Sequence, residues 1–249
     1  MARRQPDREF VAPVAKVRLR YAKRGRLRFS SSRDFQRALE RALRRANVPM
    51  AYSAGFNPHP KISYANAVPT GVASEAEYLE IGVAAAVDVD QLRRDLDAAL
   101  PAGLDILEAV VAAPPDLAAR LQASVWQIAL PQVDLEAAQS AAAALMGSES
   151  VEVQRMMKSG LRIWDVRPSI RSIDVRLDSE GVDRCAILTV VVAHGTPSVR
   201  PDDVLAALRQ VADLVPPVPA RVVRLAQGPL AVDARTVSDP LAPEDTVGA

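Results

Sequence analysis

The first clear pattern is a strict alternation of apolar and cationic positions over residues 16–21. A period of two is typical of a half-buried strand, so one face is expected to be apolar and the other cationic. The outward-facing residues are predicted to be Lys16, Arg18 and Arg20. After a turn that contains Lys23 and Arg24, the alternation resumes over residues 26–29 and adds Arg26 and Arg28. The pattern therefore predicts two strands that share a cationic outer face.

A helical pattern follows directly. Ser31 or Ser32 can cap a helix that begins near Arg33, and Asp34 in the first turn complements the helix dipole. Apolar residues recur at helical spacing from Phe35 to residue 46, and Pro49 ends the pattern. The opposite face carries a row of arginines, namely Arg33, Arg37, Arg41, Arg44 and Arg45. The sequence predicts a helix with one buried face and one basic face.

Periodicity farther along the chain predicts an α+β protein with two similar halves. In the first half, strands are expected at 62–65, 77–83 and 104–111, with a helix at 88–100. The resulting order, β-α-β-β-α-β, is that of a ferredoxin-like (split βαβ) unit with an antiparallel sheet. A proline-containing break at 112–115 separates it from a second series.

The second series is read as a decorated unit of the same kind. Strands are expected at 124–130, 151–157, 163–177, 185–193 and 221–225, with helices at 135–146 and 201–211. We therefore expect two tandem ferredoxin-like domains, at residues 12–113 and 116–228. Residues 229–249 carry prolines and acids without periodicity, which predicts a disordered tail.

Charge is distributed unevenly between these regions. Residues 1–64 carry 16 Lys/Arg against 4 Asp/Glu, a balance of +12, whereas the remaining residues carry 15 against 26, a balance of −11. This asymmetry indicates that the amino-terminal part faces a polyanion, although attraction between the two oppositely charged parts is the alternative.

The most unusual loop surrounds His59, which lies between Pro58 and Pro60. Pro60 keeps His59 out of the helical region and Pro58 fixes its own φ, so the imidazole is expected on a stiff, extended loop. With Lys61 and the arginines close in sequence, His59 is a candidate for stacking on a base, for binding phosphate, or for general acid/base catalysis on RNA. A surface loop stiffened by proline is the purely structural interpretation.

Together these patterns define the predicted nucleic-acid-binding residues. They are Lys16, Arg18, Arg20, Lys23, Arg24, Arg26, Arg28, Arg33, Arg37, His59 and Lys61, with His59 also the candidate catalytic residue. A secondary polar cluster, Lys158, Asp165 and Arg167, is read either as a second anion site or as an ion-pair network between domains. Cys185 and His194 are read as structural.

Several classes of chemistry lack their usual residues. Cys185 is the only cysteine and the two histidines lie far apart, so disulfide, zinc and iron–sulfur sites are not expected. The sequence contains no Walker loop, GxGxxG, HExxH or GxSxG motif. We expect no cofactor and no metal. No apolar run approaches the roughly 18 residues of a membrane span, and we expect a cytoplasmic protein.

Three segments of the sequence resemble a known protein family. The segment that ends at Ala65 reads KRGRLRFSSSRDFQRALERALRRANVPMAYSAGFNPHPKISYA, and GFNPHPK is its most specific part. This segment, with GVASEAEYLEIGV and WDVRPSIRSIDV, resembles the radical-SAM-associated (radical-SAM-linked) domain of unknown function, over most of residues 15–195. The resemblance implies a stand-alone form that works with a radical-SAM partner, because three closely spaced cysteines would be needed for the cluster itself.

Three hypotheses follow for function. The first is a protein that binds RNA or a ribonucleoprotein through the basic surface and the Pro-His-Pro loop, and that is not an enzyme on its own. The second is an RNA-processing or RNA-modifying enzyme with His59 as acid/base, which predicts an RNA product that is lost in His59→Ala. The third, which the resemblance implies, is an accessory subunit of a radical-SAM enzyme.

Overall fold

The computed structural model describes residues 12–54, 56–157, 160–178 and 185–243. The chain forms two compact units, one that ends at Ala119 and resumes at Leu241, and one that runs from Arg120 to Pro240. The division falls a few residues after the predicted break at 112–115. Both units are mixed α+β, and the strand pairs described within each unit are antiparallel.

The first unit contains four strands and two long helices. The elements are β1 (Ala15–Lys23), a 3₁₀ helix (Gly25–Phe29), α1 (Ser32–Arg45), β2 (Ile62–Ala65), β3 (Ala73–Val83), α2 (Val89–Ala99), β4 (Ile106–Val111) and the short α3 (Leu117–Arg120) at the junction. The strands are ordered β4-β1-β3, and β2 pairs with the other edge of β3.

One face of this sheet packs against α1 and α2. Helix α1 begins as the sequence predicts, because Ser31 and Asp34 form a capping box around its amino terminus. Its buried residues are Phe35, Leu39, Ala42 and Leu43. Phe35 stacks on Tyr21 of β1 with ring centroids 4.3 Å apart. This packing fixes the opposite, arginine-bearing face of α1 toward solvent.

The second alternating stretch is not a strand, so that prediction is wrong. Gly25 has φ +53°, a left-handed conformation that strains other residues, and it turns the chain out of β1. Residues Gly25–Phe29 then close into a 3₁₀ helix in which Leu27 N donates to Arg24 O at 3.0 Å and Ser30 N to Leu27 O at 3.0 Å. Alternation of period two and a short 3₁₀ turn are hard to tell apart over four residues.

The second unit repeats this arrangement with an added hairpin. Its elements are β5 (Ala123–Pro131), α4 (Leu135–Gly147), β6 (Glu152–Met157), β7 (Gly160–Asp165), β8 (Ile170–Leu177), β9 (Cys185–Ala193), α5 (Pro201–Ala212) and β10 (Arg221–Gly228). The main strands are ordered β10-β5-β9-β8, and among the described residues β6 and β7 form a separate two-stranded sheet.

The long strand predicted at 163–177 is two strands. Asp165 Oδ1 accepts hydrogen bonds from Val151 N at 2.8 Å and from Arg167 N at 2.9 Å, and Pro168 lies in a 3₁₀ turn at Arg167–Ser169. A proline at this turn and a side chain that binds the backbone both interrupt strand pairing. The chain therefore leaves the β6–β7 hairpin before it enters β8.

Residues 229–243 follow a defined path where composition predicts disorder. Leu230 and Val237 form a β-bridge, Ala231 N donates to Thr236 O at 3.0 Å, and Leu241 is buried. Asp233 caps the turn between them, since its Oδ1 accepts from Arg235 N at 2.8 Å. Local Asx turns of this kind leave no periodic signal in the sequence.

In the part of the chain that the structure describes, no helix combines the length and the apolar character needed to cross a bilayer.

His194 has a structural environment in the second unit. Its Nδ1 lies 2.7 Å from Leu121 O, and because a carbonyl only accepts, Nδ1 carries the proton. Nε2 is then the acceptor for the hydroxyl of buried Ser124, 2.7 Å away. Burial, and to a smaller extent the charge of Arg224, lower the pKa of His194 below its ordinary value of 6.5, although the Leu121 hydrogen bond opposes this.

This environment predicts a pH-dependent stability. A histidine whose pKa is lowered by folding binds its proton more readily when unfolded, so its contribution is fully present above about pH 6.5 and is lost as the pH falls. We expect the free energy of unfolding, measured by urea denaturation at constant ionic strength, to fall between pH 7.5 and pH 6. The fall should shrink in His194→Asn and persist in His59→Asn, which changes the exposed histidine. An undiminished fall in His194→Asn would contradict this.

Candidate nucleic-acid interface

Lys16, Arg18 and Arg20 of β1 are paired with carboxylates within the first unit, although the Lys16 side chain stays 53% exposed. Register places Arg18 opposite Glu80 of β3, and Glu80 accepts from Arg18 Nε at 3.2 Å and from Lys16 Nζ at 2.8 Å. Arg18 also donates to Pro115 O at 2.6 Å and is only 3% exposed. The predicted open cationic face is therefore wrong at Arg18, because a buried guanidinium already bound to a carboxylate is not accessible to a phosphate.

The next three cations are similarly occupied. Arg20 lies opposite Glu108 of β4 and pairs with it at 3.2 Å. Lys23 is buried, donates to Ser30 O at 2.7 Å, and has its pKa lowered mainly by burial. Arg24 pairs with Asp105 at 2.7 Å and with Glu75, and these two carboxylates raise its pKa.

In the basic amino-terminal region, the exposed cations that lack an ion pair in the described chain lie on the 3₁₀ helix and on α1. They are exposed and, within the described ranges, their side chains have no salt bridge or hydrogen bond; we call them the arginine surface, made of Arg26, Arg28, Arg33, Arg37, Arg41, Arg44 and Arg45. Four of them, at positions 33, 37, 41 and 44, recur every three or four residues. This spacing aligns them along one side of α1 over about 17 Å.

The His59 loop is held by backbone hydrogen bonds at its base. Tyr52 forms a β-bridge with Pro60, Ser53 N donates to His59 O at 2.8 Å, and His59 N donates to Ser53 Oγ at 3.0 Å. Below it, Lys61 N donates to Ala51 O at 2.8 Å. The imidazole of His59 is exposed, whereas Lys61 is half-buried. The loop is thus a positioned feature, as the flanking prolines predict.

A cavity of about 250 Å³ connects this loop to α1. Its apolar lining includes Leu43, Val48 and Met50, and the loop contributes Tyr52, Pro58, His59 and Pro60. Glu40 and Arg44 of α1 complete the lining. The cavity therefore places His59 beside the carboxyl-terminal end of the arginine surface, a proximity that sequence separation alone does not give. Glu40 was missed as a site residue because a single acid on a basic helix gives no pattern.

The predicted secondary cluster has a structural role where it is described. Asp165 binds two backbone amides, and these hydrogen bonds contribute to lowering its pKa. Arg167 donates to Ile170 O at 2.8 Å and to Met146 O at 2.9 Å, so its guanidinium is occupied inside the second unit. Lys158 lies outside the described residues. Across the described ranges, no group of three or more His, Cys, Asp or Glu side chains is arranged to hold a metal ion.

The pairing of Glu80 gives a stability prediction. Glu80→Gln removes the charge that compensates buried Arg18, and we expect the free energy of unfolding to fall by about 3–5 kcal/mol. Glu108→Gln is the matched control, because the Arg20–Glu108 pair is about one third exposed on both sides and is expected to lose less than about 1 kcal/mol. Urea denaturation measures both. Equal losses would show that Arg18 does not depend on Glu80.

Comparisons with known proteins place the chain in a family. No curated protein matches it. Among solved structures, an unknown protein from Galdieria sulphuraria is similar at 12% identity and a TM-score of 0.25, over 84% of this chain and 98% of that one. DyPB from Rhodococcus jostii RHA1 is similar at 13% identity and a TM-score of 0.20, over 81% of this chain and 85% of that one. The predicted membership in a family of unknown function is confirmed, because the chain belongs, through residues 16–201, to the family described as "Uncharacterized protein conserved in bacteria (DUF2344)".

Proposed function

We propose that this protein binds RNA through the arginine surface of its first unit. The observation that carries the proposal is that seven exposed arginines on two consecutive elements have no salt bridge or hydrogen bond in the described chain, while Lys16, Arg18 and Arg20 of β1 are paired with carboxylates. Asp34 interacts electrostatically with Arg33 and Arg37 but forms no salt bridge with them. Unpaired surface arginines repel one another, so their clustering on one helix face calls for an external polyanion. Phosphate is the natural match for the planar guanidinium fork.

The position of these arginines supports a phosphate track rather than a single anion site. Arginines spread over about 17 Å along a helix present several separate charges, which suits a backbone with repeated phosphates. The packing of Phe35 and Leu39 on the sheet holds the helix in place, so the track is rigid. Rigid presentation lowers the entropy cost of binding.

A second candidate function is RNA processing with His59 as acid or base. It is favoured by the exposed imidazole in a cavity that also contains Glu40 and Arg44, since a base and a cation near a phosphate are what phosphodiester chemistry needs. Binding is the better supported function. An exposed histidine is common on protein surfaces without a catalytic role, whereas a row of exposed arginines without ion pairs has no evident structural role.

The family and fold expectations enter as further proposals. Each unit has the element order of a split βαβ unit, with the β6–β7 hairpin inserted in the second, and we infer that both are ferredoxin-like. The association with a radical-SAM partner rests on the sequence resemblance alone. If such a partner exists, the cluster belongs to it, because this chain has a single cysteine.

The test of RNA binding is a salt series with charge-reversal variants. Arg37→Glu/Arg41→Glu should weaken binding of total cellular RNA and should reduce the magnitude of the slope of log K against log salt by about 1.4, since each lost phosphate contact contributes about 0.7. Fluorescence anisotropy or filter binding measures both quantities. Arg18→Glu is avoided because Arg18 is buried.

The matched control is Arg171→Glu/Arg209→Glu, which makes the same change in net charge at two exposed positions of the second unit. It should bind nearly as the parent protein does. An equal loss in both double variants would show that only net charge matters, and an absence of salt-dependent binding in the parent protein would end the proposal.

A further inference from the structure

Exposed aromatic rings lie before and after α1. The described aromatic side chains with high exposure are Phe29, Tyr52 and Phe56, at 58%, 47% and 68%. Phe29 ends the 3₁₀ helix that precedes α1 and lies under the guanidinium of Arg28, 4.5 Å from its ring centroid. Tyr52 and Phe56 belong to the loop after α1. Exposing three rings costs hydrophobic free energy, so their placement around a basic helix indicates a ligand with flat apolar faces.

The cavity beside His59 differs chemically from the arginine surface. Its apolar lining of Leu43, Val48 and Met50 provides no partner for a charged phosphate. Glu40 adds a carboxylate, which repels phosphate and accepts hydrogen bonds from N–H groups. Arg44, in contrast, contributes a cation to the same lining. A cavity whose lining combines apolar side chains with a carboxylate and a cation fits a nucleobase with its adjoining phosphate.

A base in a duplex is not available to such a cavity. Its faces are stacked on neighbouring pairs and its Watson–Crick edge is already bonded, so it has neither a free face for Tyr52 nor a free Watson–Crick N–H for Glu40. In a single strand both are available, and base–aromatic stacking is the usual source of affinity. The combination of rings, cavity and phosphate track therefore distinguishes between the two forms of RNA.

We propose that the cavity takes one unstacked base of single-stranded RNA, with Tyr52 against the face of the base, Glu40 accepting from its exocyclic amino group and Arg44 on the adjoining phosphate. This inference rests on the proposed RNA-binding function and deepens it. Cytosine, adenine and guanine, whose amino groups lie on the Watson–Crick edge, satisfy Glu40, whereas uracil presents carbonyl oxygens on both sides of its single N–H. The site therefore prefers single strands over duplexes and cytosine over uracil.

The experiment compares 12-nucleotide oligocytidine, oligouridine and a mixed-sequence RNA duplex by fluorescence anisotropy at one salt concentration. The parent protein should bind oligocytidine more tightly than oligouridine, and the duplex least tightly. Tyr52→Ala should weaken single-strand binding by about 5- to 150-fold and leave duplex binding unchanged. Tyr52→Phe, which keeps the ring, should retain single-strand affinity.

Glu40→Gln separates base recognition from stacking. It should remove the preference for oligocytidine over oligouridine without weakening oligouridine, because the amide no longer repels a carbonyl and can donate to it. Circular dichroism and thermal melting establish that each variant is folded.

The possible failures are distinguishable. If the parent protein binds the duplex as tightly as the single strands, or if Tyr52→Ala changes nothing while Arg37→Glu/Arg41→Glu still weakens binding, the base pocket is refuted and the phosphate track stands. If the parent protein binds none of the three RNAs, both proposals are refuted.

Discussion

The pairing of β1 with β3 is the constraint on which the rest of the first unit depends. Antiparallel register places Arg18 opposite Glu80, and one carboxylate then compensates both Arg18 and Lys16. This neutralises the sheet surface, so that its strands can be buried on both faces. The same strand pairing determines which cations of the first unit remain without an ion pair. The cations of β1 serve the fold, and the exposed arginines of α1 are the ones that we propose for a ligand.

Much of the fold could be predicted from the sequence, but pairing partners could not. Periodicity identifies α1, a cap at Ser31 or Ser32 and most of the strands and helices, because those signals are local. Which acid meets which base depends on strand register, and Glu80 is 62 residues from Arg18 along the chain. The sequence did not predict the 3₁₀ helix after Gly25 or the hairpin before β8. The reason is related, because short segments take their conformation from tertiary hydrogen bonds.

In the candidate site, too, the local features could be predicted from the sequence and the long-range contacts could not. The two prolines that flank His59 predict a stiff loop from local sequence alone. In the structure, hydrogen bonds at its base hold this loop. The cavity, in contrast, forms because Tyr52 and Pro58–Pro60 meet Glu40 and Arg44 of α1. Only the folded chain joins a phosphate track, an acceptor and an aromatic ring in one place. This arrangement is the basis on which we propose recognition of single-stranded RNA rather than general polyanion affinity.

We propose that nucleic acid contacts the protein along α1 and the His59 loop. Ultraviolet crosslinking of the intact protein to single-stranded RNA, followed by mass spectrometry of the crosslinked peptides, tests this without any substitution. We expect crosslinks within residues 26–60, most frequently at Tyr52, Phe56 and Phe29. Crosslinks concentrated in β8, β9 or β10, or spread evenly over both units, would contradict it.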